Sequence, residues 1–165
     1  MANVNAPFGA RLIDSEGKEI RVKRYVKKTG SAIYAGDFVK IASTGDVEVA
    51  SASGQLLGVA LEYKAATSTD SIAVIDDPEA IFEIQASANL VAGDVFANAQ
   101  IVATTGDTVK LTSKHALDSA NIADTATHQL KILGLSAIAS NEYGSYAKVK
   151  VKINNHAFRA GVLGA

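Results

Sequence analysis

Apolar and polar residues alternate one for one over 146–153: Lys148, Lys150 and Lys152 face one way, and Val149, Val151 and Ile153 the other. A period of two marks a half-buried β-strand. Residues 20–28 read similarly, with Ile20, Val22 and Val26 predicted inward and Arg21, Lys23, Tyr25 and Lys27 outward. Arg24 interrupts the inward set and predicts a bulge or a strand end. Further strands are predicted over 37–42, 46–50, 55–63, 71–76, 80–87, 100–104, 107–112 and 129–139, separated by Gly-Asp and Ser/Thr turns. Helical periodicity is weak. Residues 113–124 fit a short helix or an irregular loop, and 87–92 one turn at most.

Three blocks occur twice in the same order. Ala35-Gly36-Asp37-Phe38 matches Ala92-Gly93-Asp94-Val95, and Thr44-Gly45-Asp46-Val47 resembles Thr105-Gly106-Asp107-Thr108. Leu56-Leu57-Gly58-Val59-Ala60 resembles Ile132-Leu133-Gly134-Leu135-Ser136. Gly-Asp suits turns, and a Gly inside an apolar strand marks a bulge or a sharp bend. The pattern predicts a mainly β fold: a small barrel or sandwich of two similar units, with at most short helices. The second copy is longer, and the excess reads as an inserted loop at about 113–127. The predicted layout is an N-terminal arm (1–18), one β-rich domain (19–153) and a C-terminal tail (154–165).

Composition narrows the chemistry. The chain has 165 residues, 48% hydrophobic but only 6% aromatic. That length buries a core without a metal or disulfide staple. With no Cys, disulfides, thiolate metal sites and cysteine nucleophiles are excluded. The first residues lack the basic start and apolar core of a secretory signal, and no stretch approaches a membrane span. The net charge of −1 argues against a general nucleic-acid binder. It hides a division: residues 1–40 carry 8 Lys+Arg and 4 Asp+Glu, 41–130 carry 3 and 12, and 131–165 carry 5 and 1.

Candidate catalytic groups do not cluster. His115, His128 and His156 show no metal-ligand spacing. Asp76-Asp77-Pro78-Glu79 is the densest acidic run, and Asp-Pro between strands reads as a turn. Ser-x-x-Lys occurs at Ser15 to Lys18 and at Ser145 to Lys148 without its partner motifs. No catalytic residue, cofactor or metal is assigned, and no small-molecule substrate, nucleic acid or membrane is expected as a partner. The basic strands remain. If they lie together, Arg21, Lys23, Lys27, Lys148, Lys150 and Lys152 form one positive face that an acidic partner would compensate. Lys on a sheet edge also serves to prevent aggregation. The loose ends carry apolar residues, Phe8, Phe158, Val162 and Leu163, suited to ordering against a neighbour.

The opening Asn5-Ala6-Pro7-Phe8-Gly9-Ala10-Arg11-Leu12-Ile13 is similar to the start of a family of tailed-bacteriophage head decoration (cement) proteins. Arg24-Tyr25-Val26, Tyr34-Ala35-Gly36-Asp37-Phe38-Val39, Leu57-Gly58-Val59-Ala60 and Ile75-Asp76-Asp77-Pro78 resemble its following blocks. The resemblance covers residues 6–85 and extends loosely to His156. It implies a non-enzymatic structural protein on the capsid exterior, made in the host cytoplasm. Its partners would be the major capsid protein and itself, as a homotrimer on the shell. It carries no residue roles. The candidate contact residues, Asn5, Pro7, Phe8, Arg11, Arg21, Lys23, Lys27, Lys148, Lys150, Lys152, Phe158 and Arg159, rest on the arms and basic strands. The alternative is a ligand-binding β-module, for instance one recognising host glycans, against which the absence of Trp weighs.

Overall fold

The computed structural model describes residues 3–159. The protein is mainly β, and the described residues form one 3-10 turn at Ala92–Asp94 and thirteen strands. They are β1 (Arg11–Asp14), β2 (Val22–Val26), β3 (Phe38–Ile41), β4 (Val47–Val49), β5 (Gly58–Ala60), β6 (Ser71–Ile75), β7 (Ile81–Gln85), β8 (Asn89–Leu90), β9 (Asn98–Val102), β10 (Ala116–Ala123), β11 (Leu130–Leu135), β12 (Gly144–Ser145) and β13 (Lys148–Ile153).

The repeated blocks correspond to a repeated topology. One antiparallel sheet has the order β2-β6-β5-β3-β4, and the other β1-β7-β13-β11-β9-β10. Leaving β1 aside, each sheet places its unit's first main strand beside the last, then the fourth, second and third. Each sheet also curls until its first strand touches its third. Lys27, just after β2, makes a parallel bridge to Val47, and Ala86, just after β7, makes one to Leu117. The next residue closes each contact: Lys28 N–H donates to Val47 O at 2.9 Å and Ser87 N–H to Leu117 O at 2.8 Å. A short pair, β8 with β12, lies outside both sheets.

The Ala-Gly-Asp turns are also equivalent. Asp37 Oδ2 accepts from Tyr34 N–H at 2.8 Å, and Asp94 Oδ2 from Val91 N–H at 2.8 Å. In both turns the Asp N–H returns a bond to the carbonyl three residues back, at 3.0 Å. A short acceptor side chain satisfying a turn N–H is the reason Asp is favoured there. The two echoed glycines serve different ends. Gly134 sits at a bulge in the β11–β13 ladder with φ of +139°. Gly58 lies in a regular ladder, and a Cβ there would come 2.0 Å from Ile75 O, so close backbone approach requires the glycine.

Two apolar clusters hold the structure. The larger joins both sheets, with Phe38, Val59 and Ile75 from the first and Phe82, Ile84, Leu117, Ile132, Val149 and Val151 from the second. Phe38 and Phe82 meet edge to face, their centroids 6.3 Å apart. The smaller cluster, Ile33, Val39, Val47, Leu57, Ala60, Ile72 and Val74, lies on the other face of the five-stranded sheet.

Several sequence expectations are corrected. Residues 113–127 are not a loop, because β10 occupies Ala116–Ala123 and pairs with β9. The extra length lies in the hairpin between β9 and β10, residues 103–115, where the first unit's hairpin needs only 42–46. The strand expected over 107–112 is a turn of that hairpin, in which Asp107 Oδ1 accepts from the N–H groups of Val109 and Lys110. The N-terminal arm is not loose. Its β1 pairs with β7, Ala6 N–H donates to Gln85 Oε1, and Gly9 N–H donates to His115 O. The tail is docked as far as described, with Leu56 N–H donating to Asn155 O and Ala157 N–H to Leu56 O. Val162 and Leu163 lie outside the described residues.

In 20–28 the expected facing holds for Ile20, which packs on the larger cluster, and for exposed Arg21 and Lys23, but is reversed at Val22, Tyr25, Val26 and Lys27. Val22 and Val26 are 48% and 55% exposed, whereas Tyr25 packs on the smaller cluster and Lys27 is 1% exposed. Shifting a strand's parity by one residue exchanges its faces, and the long stems of Tyr and Lys fill the interior here as aliphatic groups would. Arg24 causes no bulge, because the β2–β6 register is unbroken from Val22 to Val26. β13 alternates as predicted, with Val149, Val151 and Ile153 buried and the three lysines half-buried.

Candidate functional site

The four N-terminal candidates come together. Asn5, Pro7, Phe8 and Arg11 line one groove of about 610 Å³, whose opposite wall is the long 103–115 hairpin through Asp107, Lys110, Thr112 and Lys114. The groove exists because the N-terminal segment is clasped between the two units. Gly9 N–H bonds the second unit at His115 O, and Ala10 N–H bonds the first at Gly36 O (2.9 Å). Gly9 has φ of +76°, and a Cβ there would meet Ser113 Cβ at 2.3 Å, so only glycine lets the segment lie this close. Ser113 N–H in turn donates to Ala35 O, fixing the hairpin to the Ala-Gly-Asp turn.

The rim of this groove is basic. The Arg11 guanidinium stacks 4.6 Å above the Phe8 ring and lies 3.9 Å from the Glu83 carboxylate, with most of its side chain in solvent. Lys110 is exposed, and Lys114 Nζ sits 3.8 Å from Asp107. The backbone N–H groups of Val109 and Lys110 hold the Asp107 carboxyl below the ordinary carboxylate range. Sequence reasoning missed Lys110, Lys114 and Asp107. Their signal was the greater length of the second hairpin, which was assigned too far along the chain.

The remaining basic candidates do not form one free positive face. Arg21, Lys152 and Arg159 converge on the acidic turn 76–79. Arg21 Nε donates to Asp76 Oδ1 at 2.8 Å, Lys152 Nζ lies 3.1 Å from Glu79 and 2.7 Å from Glu16, and Arg159 lies 3.8 Å from Glu79. Phe158 lies under the Arg21 guanidinium at 4.7 Å. The acidic compensation that the lysines and arginines require is therefore supplied largely within the chain. The Asp76 hydrogen bond holds the Arg21 proton more tightly than usual, and the Arg21 guanidinium and Tyr25 hydroxyl occupy the Asp76 carboxylate. Lys27 is buried, its Nζ donating to the carbonyls of Lys28, Ala66 and Ser68. Lys23 rests 5.2 Å over the Tyr25 ring. Lys148 and Lys150 face Gln85 and Glu83 across the ladder.

A second cavity, about 270 Å³, is lined by Tyr34, Asp37, Thr104, Thr105 and His115 among others. His115 Nδ1 accepts from Phe38 N–H at 3.2 Å, and its Nε2 lies 3.4 Å from Asp37 Oδ1. Burial lowers the His115 pKa and raises that of Asp37. Ser113 bonds the same carboxylate. In a hydrolytic relay the imidazole stands between hydroxyl and carboxylate. Here the carboxylate stands between the other two, which suits a latch joining the hairpin to the first unit. Among the described residues no three His, Asp or Glu side chains are grouped to hold a metal ion, and no helix is long and apolar enough to cross a membrane. No family model matches the chain, and neither does any curated protein.

Proposed function

We propose that this protein is a structural virion component that binds the outside of an expanded bacteriophage capsid and cements neighbouring major capsid protein subunits, acting as a homotrimer on the shell. One observation supports this reading above the others. Residues 6–11, within the stretch that resembles decoration proteins, form with the 103–115 hairpin a groove with Arg11, Lys110 and Lys114 around it. This is a surface built for contact. Its walls come from both units and are locked by backbone hydrogen bonds, so a partner seated there meets a preformed site and little ordering entropy is lost.

The mechanism is mechanical. Each copy bridges adjacent shell subunits, so internal pressure must break additional contacts before subunits part. Many weak attachments act together, and each copy need contribute only modestly. The exposed basic groups steer docking toward acidic shell surface.

The test is cosedimentation of the purified protein with expanded, undecorated heads at low and moderate salt. Saturable binding that weakens with salt is expected. The double variant Arg11→Glu, Lys110→Glu should bind at least about tenfold more weakly, since rim charge reversal places like charges opposite each other. Saturable binding that the variant leaves unchanged would remove this groove from the interface. Absence of binding at both salt concentrations would overturn the cement reading.

A further inference from the structure

The tail meets the first unit at Leu56. This residue lies just ahead of β5, is fully buried in the larger cluster, and gives both main-chain groups to the tail. Its N–H donates to Asn155 O at 2.9 Å, and its carbonyl accepts from Ala157 N–H at 2.8 Å. His156 stands between those two bonds, in a parallel bridge with Leu56, and is itself fully buried. We propose that residues 154–159 form a strap poised to open, which acid releases from the first unit by protonating His156 while both sheets stay folded.

The strap is docked with polar groups left over. His156 Nδ1 accepts from Phe158 N–H at 3.0 Å, so the neutral ring carries its proton on Nε2. That Nε2 is buried and has no acceptor among the described residues, and the same holds for Arg159 Nε. A buried donor without a partner costs its full desolvation, so the docked form is held less firmly than its backbone bonds alone would hold it. Opening returns both donors to water. Further out the grip is lighter. Phe158 is half exposed and rests against the Arg21 guanidinium at 4.7 Å, and Arg159 reaches Pro78 O at 3.2 Å and Glu79 at 3.8 Å. The β11–β13 ladder ends at Ile153, so opening 154–159 breaks no strand pairing of either sheet.

Protonation favours the open form. It makes Nδ1 a donor and so breaks the bond from Phe158 N–H. Four charged groups face the ring. Arg159 on the strap and Arg21 ahead of β2 oppose a positive charge there, while Asp76 and Asp77 after β6 favour one. Asp76 is already engaged by Arg21 and Tyr25. Burial and the two arginines prevail and hold the docked His156 pKa at about 4, whereas a ring in water titrates near ~6.5. The open strap therefore takes up a proton that the docked strap refuses, and opening gains as the pH falls through this window.

The experiment is residue-resolved amide hydrogen exchange on the full chain at pH 7 and pH 4, without urea and in low urea, each rate taken relative to that of an unstructured peptide at the same pH. The Leu56 and Ala157 amides report the strap, and the Ile84 and Val149 amides the β7–β13 ladder. At pH 7 the strap amides should exchange at least about tenfold faster than the ladder amides and respond little to urea, as in a local opening. By pH 4 their relative rates should rise about a hundredfold. His156→Leu removes both the titrating ring and its orphan donor, and should slow strap exchange and abolish its pH dependence. Strap amides that exchange with the rate and urea dependence of the ladder would make the tail part of the cooperative fold and overturn the proposal. So would strap rates that do not change between pH 7 and pH 4. An acid response that persists in His156→Leu would place the sensor in the 76–79 turn and overturn it too. If that variant does not fold, the parent decides: the His156 ring and Ala157 amide signals should titrate with one midpoint, and separate midpoints would refute the strap.

Discussion

Lys27 and Ala86 hold the same place in the two units, each following a first strand and bridging the third, to Val47 and Leu117 respectively. Alanine fills the position with a methyl group. Lysine fills it with a four-carbon stem whose ammonium reaches the carbonyls of Lys28, Ala66 and Ser68 at 2.7, 3.4 and 3.4 Å. Hydrogen bonds thus offset part of the cost of burying a cation, but no carboxylate pairs with it among the described residues.

Burial lowers the Lys27 pKa. Between that lowered value and the unfolded value, the unfolded chain holds more protons than the native one, so stability rises with pH across this alkaline window. Lys27→Met keeps the packing and removes the cation. It should unfold in urea within about 1 kcal/mol of the parent at pH 7, and the parent should gain on it as the pH is raised toward about 10.4. Lys27→Ala should lose about 2–4 kcal/mol through the space left behind.

His156 offers an acid-side counterpart. Burial, with Arg159 and Arg21 nearby, lowers its pKa to about 4, and its Nδ1 accepts from Phe158 N–H at 3.0 Å. Between pH 6.5 and 4 the unfolded chain takes up a proton that the native protein refuses, so stability falls as pH falls through this range. The loss should approach about 3 kcal/mol. Urea midpoints at pH 7, 5.5 and 4 should show a smaller decline for His156→Gln than for the parent.

The two Ala-Gly-Asp turns should differ in cost despite their common geometry. Asp94 is only half-buried, and Asp94→Ala removes one turn hydrogen bond, expected to cost about 1 kcal/mol. Asp37 is buried against His115 and Ser113, and Asp37→Ala should cost about 3–5 kcal/mol because it leaves buried partners unsatisfied. Denaturant midpoints at constant m-value check both.

Gly58→Ala and Gly134→Ala separate close approach from backbone conformation. At Gly58 the added Cβ collides with Ile75 O, and a loss on the order of 3 kcal/mol is expected. At Gly134 the space is open and only the left-handed φ is strained, so about 1–2 kcal/mol should be lost. A calorimetric comparison of the two variants decides the order.

The acidic turn 76–79 was legible as a turn but not as the counter-charge of Arg21, Lys152 and Arg159, because ion pairing joins residues far apart in sequence. The groove was half legible. Asn5, Pro7, Phe8 and Arg11 stood out in the N-terminal segment, whereas Lys110 and Lys114 became visible only once the long hairpin was seen to fold back over that segment. The N-terminal arm itself was misread. A short strand such as β1 takes its order from the edge of β7, not from any periodicity of its own.

The sequence by itself determined the β class, the alternation of β13 and the existence of two related units. Period-two patterning and Gly-Asp turns are local chemistry, and local chemistry is written in order along the chain. Only the tertiary structure decided which face of β2 is inside. Its alternating residues include Val on one side and Tyr and Lys on the other, and either set can be buried if something caps the polar ends. The Asp76 carboxylate and the carbonyls of 28, 66 and 68 supply those caps. All but the neighbouring carbonyl of residue 28 flank β6, and they come within reach of β2 only when these two strands, far apart in the chain, pair.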